Sequence, residues 1–139
     1  MAITRRGLGE GVGAIRRLAK EAQLRIASTF AEYVRKELRA QHVQGRNVYG
    51  KRFPAPRSGG APMLDSGLLM DGYDVVVVDE GRRVRVGQHV YYSKFLNGDG
   101  EHEHLPTSGL PEKWQRKLDE IKKAELKRFL KEVKRALNM

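Results

Sequence analysis

An uninterrupted apolar stripe near the N-terminus constrains the fold of this chain more than any other feature. From residue 14 to about residue 41, apolar side chains recur at steps of three and four, and charged side chains fill the other positions. That spacing puts the apolar residues on one face of an α-helix, which would be roughly seven turns long. Gly45 lies just beyond the predicted end, as a helix stop would. The stripe consists of Ile15, Leu18, Ala22, Ile26, Phe30, Tyr33, Val34 and Leu38.

Residues 1–13 differ from the stripe that follows. They are rich in glycine and lack a core pattern, so we interpret them as a flexible N-terminal arm. The remaining residues, 14–139, are within the size of one ordinary domain and contain no internal repeat. The sequence therefore predicts a single domain preceded by a short arm.

A hairpin of two strands and a final helix follow in the second half of the chain. Residues 73–78 contain a run of valines and are predicted to be a strand, and Asp79, Glu80 and Gly81 signal a turn. Val84 and Val86 then alternate with arginines, which indicates a return strand with one wet face. A final helix is predicted from Pro111 onwards, with an apolar stripe formed by Trp114, Leu118, Ile121, Leu126, Phe129, Leu130, Val133 and Leu137.

The predicted order is a long N-terminal helix, a long loop, an antiparallel β-hairpin or small sheet, and a C-terminal helix. Helices and strands are segregated along the chain, so the fold class is α+β. A two-stranded hairpin is marginal by itself. We therefore expect it to pack on the long helix, to pair with more strands, or to pair with another subunit.

The loop between the first helix and the hairpin is the first candidate functional segment. It runs over residues 45–69, holds three of the five prolines and shows neither helical periodicity nor alternation. A loop of this length is usually functional or disordered. We expect it to be mobile in a free subunit and ordered in an assembly. Its candidate residues for a subunit interface or a DNA path are Arg46, Tyr49, Lys51, Arg52, Phe53 and Arg57.

Two interpretations of this loop stay open. The cations could hold phosphates while Tyr49 and Phe53 stack on bases, which would make the segment from residue 45 to residue 57 a nucleic-acid-binding module. Alternatively, the two aromatic residues are anchors that fix the loop to its own core.

The charge distribution allows the same range of partners. The net charge is +10, and residues 1–57 carry thirteen Lys or Arg against four Asp or Glu. Residues 58–111 carry four against eight, and residues 112–139 carry ten against five. Solvated helix faces, an acidic or DNA partner, and self-association all fit these counts. No apolar run approaches the roughly 20 residues that a membrane helix needs, so we expect no membrane partner.

Three groups of residues could carry chemistry. His102 and His104, near Asp99, Glu101 and Glu103, could bind a metal, although a solvated polar loop fits them better. Ser66 or Ser93 could pair with a histidine, but nothing in the sequence fixes their geometry. Asp65, Asp71 and Asp74 flank one turn, where aspartate is common. No phosphate-binding loop is present. We therefore expect no enzyme activity, no metal and no cofactor.

Three short sequence motifs, in their order along the chain, resemble those of a bacteriophage protein family. They are residues 50–54 (GKRFP), residues 64–69 (LDSGLL), and residues 86–98, which contain VYYSKFLNG after a Val-Gly pair. The family is the phage virion morphogenesis and tail-completion group, which includes Mu G-like and HK97-like head–tail components. Residues 105–111 lack the arginine that its members often carry there. The family-motif core residues are Leu64, Asp65, Gly67, Leu68, Tyr91, Phe95 and Gly98.

The resemblance implies a structural subunit that works as a homo-oligomeric ring at the neck of a tailed phage or a related particle. Such a protein completes the tail or joins it to the head-side connector. Its expected partners are neighbouring neck, connector or tail-tube proteins, with a possible contact to packaged DNA. Its expected location is the virion, after assembly in the host cytoplasm.

Overall fold

The computed structural model describes residues 5–54, 68–90, 93 and 103–138, with only the backbone for residues 5–8 and 68. Helix α1 spans Arg5–Gln44, and the single turn α2 spans Leu68–Asp71. Strand β1 (Tyr73–Val78) and strand β2 (Arg83–Gln88) are joined by a 3-10 turn at Asp79–Gly81. Helix α3 spans Glu112–Ala136. This is the predicted α+β arrangement, with a long N-terminal helix, a two-stranded antiparallel sheet and a C-terminal helix.

One core holds these elements together. The hairpin and α3 both pack on α1, so that the apolar stripe of α1 is covered along its second half. The middle of this core is Trp114, of which 1 % is exposed, packed with Leu38, of which none is. The buried cluster contains Phe30, Ala31, Val34, Leu38, Val75, Trp114 and Ile121.

The prediction of a flexible arm over residues 1–13 is wrong for residues 5–13, because α1 begins at Arg5. Residues 1–4 lie outside the described residues. Glycine costs about 1 kcal/mol per helical position, but a helix that is already nucleated extends at little cost per residue. The far end of α3 also packs here: a Cβ added at Gly11 would lie 2.9 Å from Leu137 Cδ2. That contact spans 126 residues of sequence, and no local pattern reveals it.

The hairpin follows its prediction closely. Val75 pairs with Val86 and Val77 with Val84, and these side chains face the core. The turn packs directly on α1, because a Cβ added at Gly81 would lie 3.1 Å from the carbonyl oxygen of Gln23. The φ angle of Gly81 is +91°, which favours glycine there for a second reason.

Candidate functional site

The first part of the predicted loop is a compact turn. Gly45 ends α1 with a φ of +71°, and the backbone of Phe53 returns to donate to the Gly45 carbonyl at 2.9 Å. Asn47 organises the turn from inside, since its buried Oδ1 accepts from the amides of Tyr49 (3.0 Å) and Lys51 (2.8 Å). Hydrogen bonds therefore define the backbone from residue 45 to residue 53, so this part of the predicted loop is a folded turn.

The turn presents cations but not a stacking surface. Arg46 and Arg52 form an isolated antiparallel bridge and are exposed, as is Lys51. Phe53 is only 2 % exposed and stacks on His42 with ring centroids 6.2 Å apart. The interpretation of Phe53 as a base-stacking or interface residue is therefore wrong, because its ring is enclosed in the core. The anchoring interpretation fits it.

Tyr49 also acts as an anchor, although 37 % of the residue is exposed. Its hydroxyl donates to the carbonyl of Gly109 and accepts from the amide of Ser108 at 3.1 Å. Partial burial is the main cause that raises the pKa of Tyr49 above its ordinary value. The turn after α1 is thus tied to the segment that leads into α3. Arg57, the remaining loop candidate, lies outside the described residues.

Glu103 holds that second segment in place. Its Oε1 accepts from the hydroxyl of Thr107 (2.7 Å) and from both the hydroxyl (2.8 Å) and the amide (3.1 Å) of Ser108. Hydrogen bonds from the two hydroxyls are the main cause that lowers the pKa of Glu103 below its ordinary value. Two turns, over residues 45–53 and 103–109, therefore form one surface linked through Tyr49.

A polar network that the sequence did not reveal lies beneath this surface. Gln41 Nε2 donates to the hydroxyl of Tyr73 at 2.7 Å and to the carbonyl of His104 at 2.8 Å. The same Tyr73 oxygen lies 2.5 Å from His42 Nε2. Burial strongly raises the pKa of Tyr73, so the hydroxyl keeps its proton. Gln41 and His42 continue the three-to-four spacing of the apolar stripe after Leu38. Two polar residues at positions that face the core were the sequence signal for this network.

Ser93 and His104 belong to the same buried network. Ser93 Oγ is 2.5 Å from His104 Nε2, and both residues are almost fully buried, at 4 % and 0 % exposed. A nucleophilic serine must meet its substrate, so this geometry is that of a core hydrogen bond and lends no support to acyl transfer. His102 lies outside the described residues, and no group of three metal-capable side chains occurs within the described ranges.

The acidic residues near the hairpin do not converge. Asp71 accepts from Arg39 at 3.3 Å, whereas Asp74 lies 3.8 Å from His89. Asp65 lies outside the described residues. Of the family-motif core, the backbone of Leu68 is in α2, and its neighbour Leu69 is buried. The other motif residues fall outside the described ranges: Leu64, Asp65, Gly67, Tyr91, Phe95 and Gly98.

The hairpin supplies the second candidate surface. The amide of His89 donates to the carbonyl of Gly72 at 2.9 Å, which fixes the alternation of the ladder. In an antiparallel pair, hydrogen-bonded positions alternate with positions whose backbone groups point away from the partner strand. With the observed register, the outward-pointing positions are Tyr73, Val75 and Val77 on β1 and Val84, Val86 and Gln88 on β2.

The two outer edges of the hairpin are not equivalent. Arg35, on α1, donates from Nη2 to the carbonyl of Val75 at 2.9 Å, so the β1 edge is covered near its middle. On β2, no described residue hydrogen-bonds to the outward backbone groups of Val84 and Val86. An edge of this kind is a template for pairing with another strand.

No family model, no curated protein and no solved structure matches the chain. None of the helices in the described part of the chain is both long and apolar enough to cross a membrane.

Proposed function

We propose that this chain is a structural neck protein of a tailed phage or phage-like particle, a ring-forming subunit that completes the tail or joins it to the head-side connector. The β2 edge carries this proposal. The hairpin has two strands among the described residues and is stabilised by packing on α1, which leaves the β2 edge free to pair. A strand from a neighbouring copy would extend the sheet there.

Ring closure needs two different surfaces on each subunit. The β2 edge would be one of them, and an extended segment of the next copy would be the other. Proline favours an extended conformation in the residue before it, and the sequence carries prolines at positions 54, 56 and 62, so the long loop is the candidate for that segment. Main-chain hydrogen bonds would then supply affinity, as in other cases of strand addition.

The test is the native mass of the purified, nuclease-treated protein by light scattering at low and high salt. We expect a multimer that resists salt, because main-chain and apolar contacts are weakly screened. The Val86→Pro variant removes one outward-pointing N–H from β2 without removing a ladder bond inside the hairpin. We expect it to lower the native mass.

Val77→Pro is the matched control. It also removes one valine from the core and one outward N–H, but on the β1 edge, which α1 covers. It should keep the multimer, and circular dichroism checks that both variants are folded. A wild-type monomer with no affinity for tails, or equal dissociation of both variants, would overturn the proposal.

The second candidate is nucleic-acid binding by the turn at residues 45–53. The backbone bridge between Arg46 and Arg52 brings two exposed arginines close together, and Lys51 beside them is also exposed. With Phe53 buried, such binding would rest on phosphates alone and would fall steeply with salt. Arg52→Gln should then lower both the affinity for a DNA duplex and the salt slope, and a protein that binds no DNA at low salt removes this candidate.

A further inference from the structure

A groove runs along one side of the contact between α1 and α3, next to the hairpin turn. It consists of two adjoining cavities of about 360 Å³ and 460 Å³ that share Gln23, Ile26 and Lys122. On α1 it extends from Ala19 to Phe30, which is about 16 Å, or three helical turns. Its apolar lining includes Ile26, Phe30, Leu110, Leu118, Leu126 and Phe129, and we call it the α1–α3 groove.

The groove lies where α1 and α3 extend beyond the buried core. The buried residues of α3 are Trp114 and Ile121, both in its first half. Leu126 lines one end of the groove and is 56 % exposed, and Leu110 lines the other end and is 48 % exposed. Two packed helices bury their apolar stripes against each other only in part. A third helix laid into the groove would cover both leucines.

The unpaired charges among the described residues that line the groove are positive. Lys122, Arg82 and Arg83 line it. Arg83 pairs with Asp79 at 3.1 Å, whereas Lys122 and Arg82 form no ion pair with any residue in the described ranges. The acidic lining residue, Glu125, is already engaged, because Arg25 donates to it at 2.9 Å. The surrounding helix segments are also basic: residues 5–26 carry six Lys or Arg against two Glu, and residues 122–136 carry seven against two.

We propose that the α1–α3 groove is a docking site for an acidic amphipathic helix of a partner protein. Its apolar face would cover Leu126, Phe129 and Leu110, and its carboxylates would flank that face to meet Lys122, Arg82 and Arg83. Recognition of this kind combines apolar anchors at helical spacing with complementary charge. A second copy of this chain fits poorly, because its own helices around the groove carry the same positive charge.

The probe is a fluorescein-labelled synthetic peptide of about 15 residues, built of leucine, glutamate and alanine, with the leucines on one helical face. A peptide of the same composition with the leucines scrambled is the control for shape, and a version with lysine for glutamate is the control for charge. Fluorescence anisotropy against the full chain at physiological salt should show binding at least about tenfold tighter for the first peptide than for either control.

Single substitutions then locate the site. Lys122→Glu and Leu126→Ala change exposed residues of the groove, and each should weaken binding about fivefold or more. Lys131→Glu is the matched control, because it makes the same charge change at an exposed position of the same helix that lines neither cavity. It should change the affinity less than twofold. Val86→Pro should leave the affinity for the peptide unchanged. Failure of the docking site and failure of the proposed ring can therefore be distinguished.

Several results would overturn the docking site. Equal binding of the first peptide and its scrambled control would show that no helix face is recognised. Equal losses from Lys122→Glu and Lys131→Glu, or displacement of the peptide by a short DNA duplex, would assign the groove's cations to non-specific polyanion binding. A native mass that falls on Leu126→Ala would assign the groove to contact between copies.

Discussion

Asn47 shows how single side chains shape the surface of this protein. Its one buried oxygen accepts two backbone amides and closes the turn that follows α1. Tyr49 then ties this turn to the backbone of Ser108 and Gly109. Arg52 is exposed, and the shape of the backbone that carries it is therefore determined by the side chains of Asn47 and Tyr49.

The first residue-scale prediction separates anchoring from recognition. Phe53→Ala should lower the free energy of unfolding by about 3 kcal/mol, because it leaves a cavity against His42 in the core. Tyr49→Phe, which removes only the hydroxyl bonds, should cost about 1 kcal/mol. Urea unfolding measures both. An unchanged stability for Phe53→Ala would mean that the ring is not buried in solution.

A second residue-scale prediction concerns pH. Because hydrogen bonds lower the pKa of Glu103 in the folded state, its stabilising effect is present above its ordinary value of 4.5 and is lost as the pH falls through the lowered value. Glu103→Gln should therefore lower the melting temperature most near pH 6, and the difference from the wild type should shrink towards about pH 3. A difference that stays constant across this range would show that the carboxylate charge is not involved.

At the scale of elements, the long periodic segments were predictable and the contacts between them were not. The stripe of α1, the hairpin and the stripe of α3 follow from local spacing, because burial of one face imposes its own period. The start of α1 was missed because its contact with Leu137 comes from the other end of the chain. The bond from Gln41 to the His104 carbonyl joins residues 63 apart in the same way.

The element-scale prediction tests how the hairpin turn docks on α1. Gly81→Ala meets both a positive φ and the backbone of Gln23 at 3.1 Å, whereas Gly109→Ala, at a φ of +103°, meets open space. Backbone strain alone costs about 1–2 kcal/mol. We therefore expect Gly81→Ala to destabilise the protein clearly more than Gly109→Ala in urea unfolding. Equal losses would mean that the turn stands away from the helix.

At the scale of the whole molecule, stability is unevenly distributed. The core lies where α1, the hairpin and the first half of α3 meet, whereas the second half of α3 lies outside it, against the first half of α1. Ion pairs from Arg25 to Glu125 (2.9 Å) and Glu132 (3.6 Å) hold this outer part together. No sequence pattern marks this boundary, because the apolar stripes of both helices continue across it.

Hydrogen exchange should reveal that boundary directly. Amides of residues 126–136 should exchange well before those of residues 114–121, because few buried contacts oppose local opening there. Residues 34–38 of α1 provide the slow reference. Uniform protection along α3 would contradict this picture, and protection of the outer part by the acidic peptide would support the docking site.

The hydrogen bond from Arg35 to the Val75 carbonyl also bears on how many neighbours a subunit of the proposed ring would accept. With the β1 edge covered near its middle, each copy would accept one strand, at the β2 edge. Growth of the ring would then be directional, and every subunit would need a donor segment from the next copy. A short synthetic strand that occupies the β2 edge of one copy would therefore act as a terminator, leaving open arcs in place of closed rings.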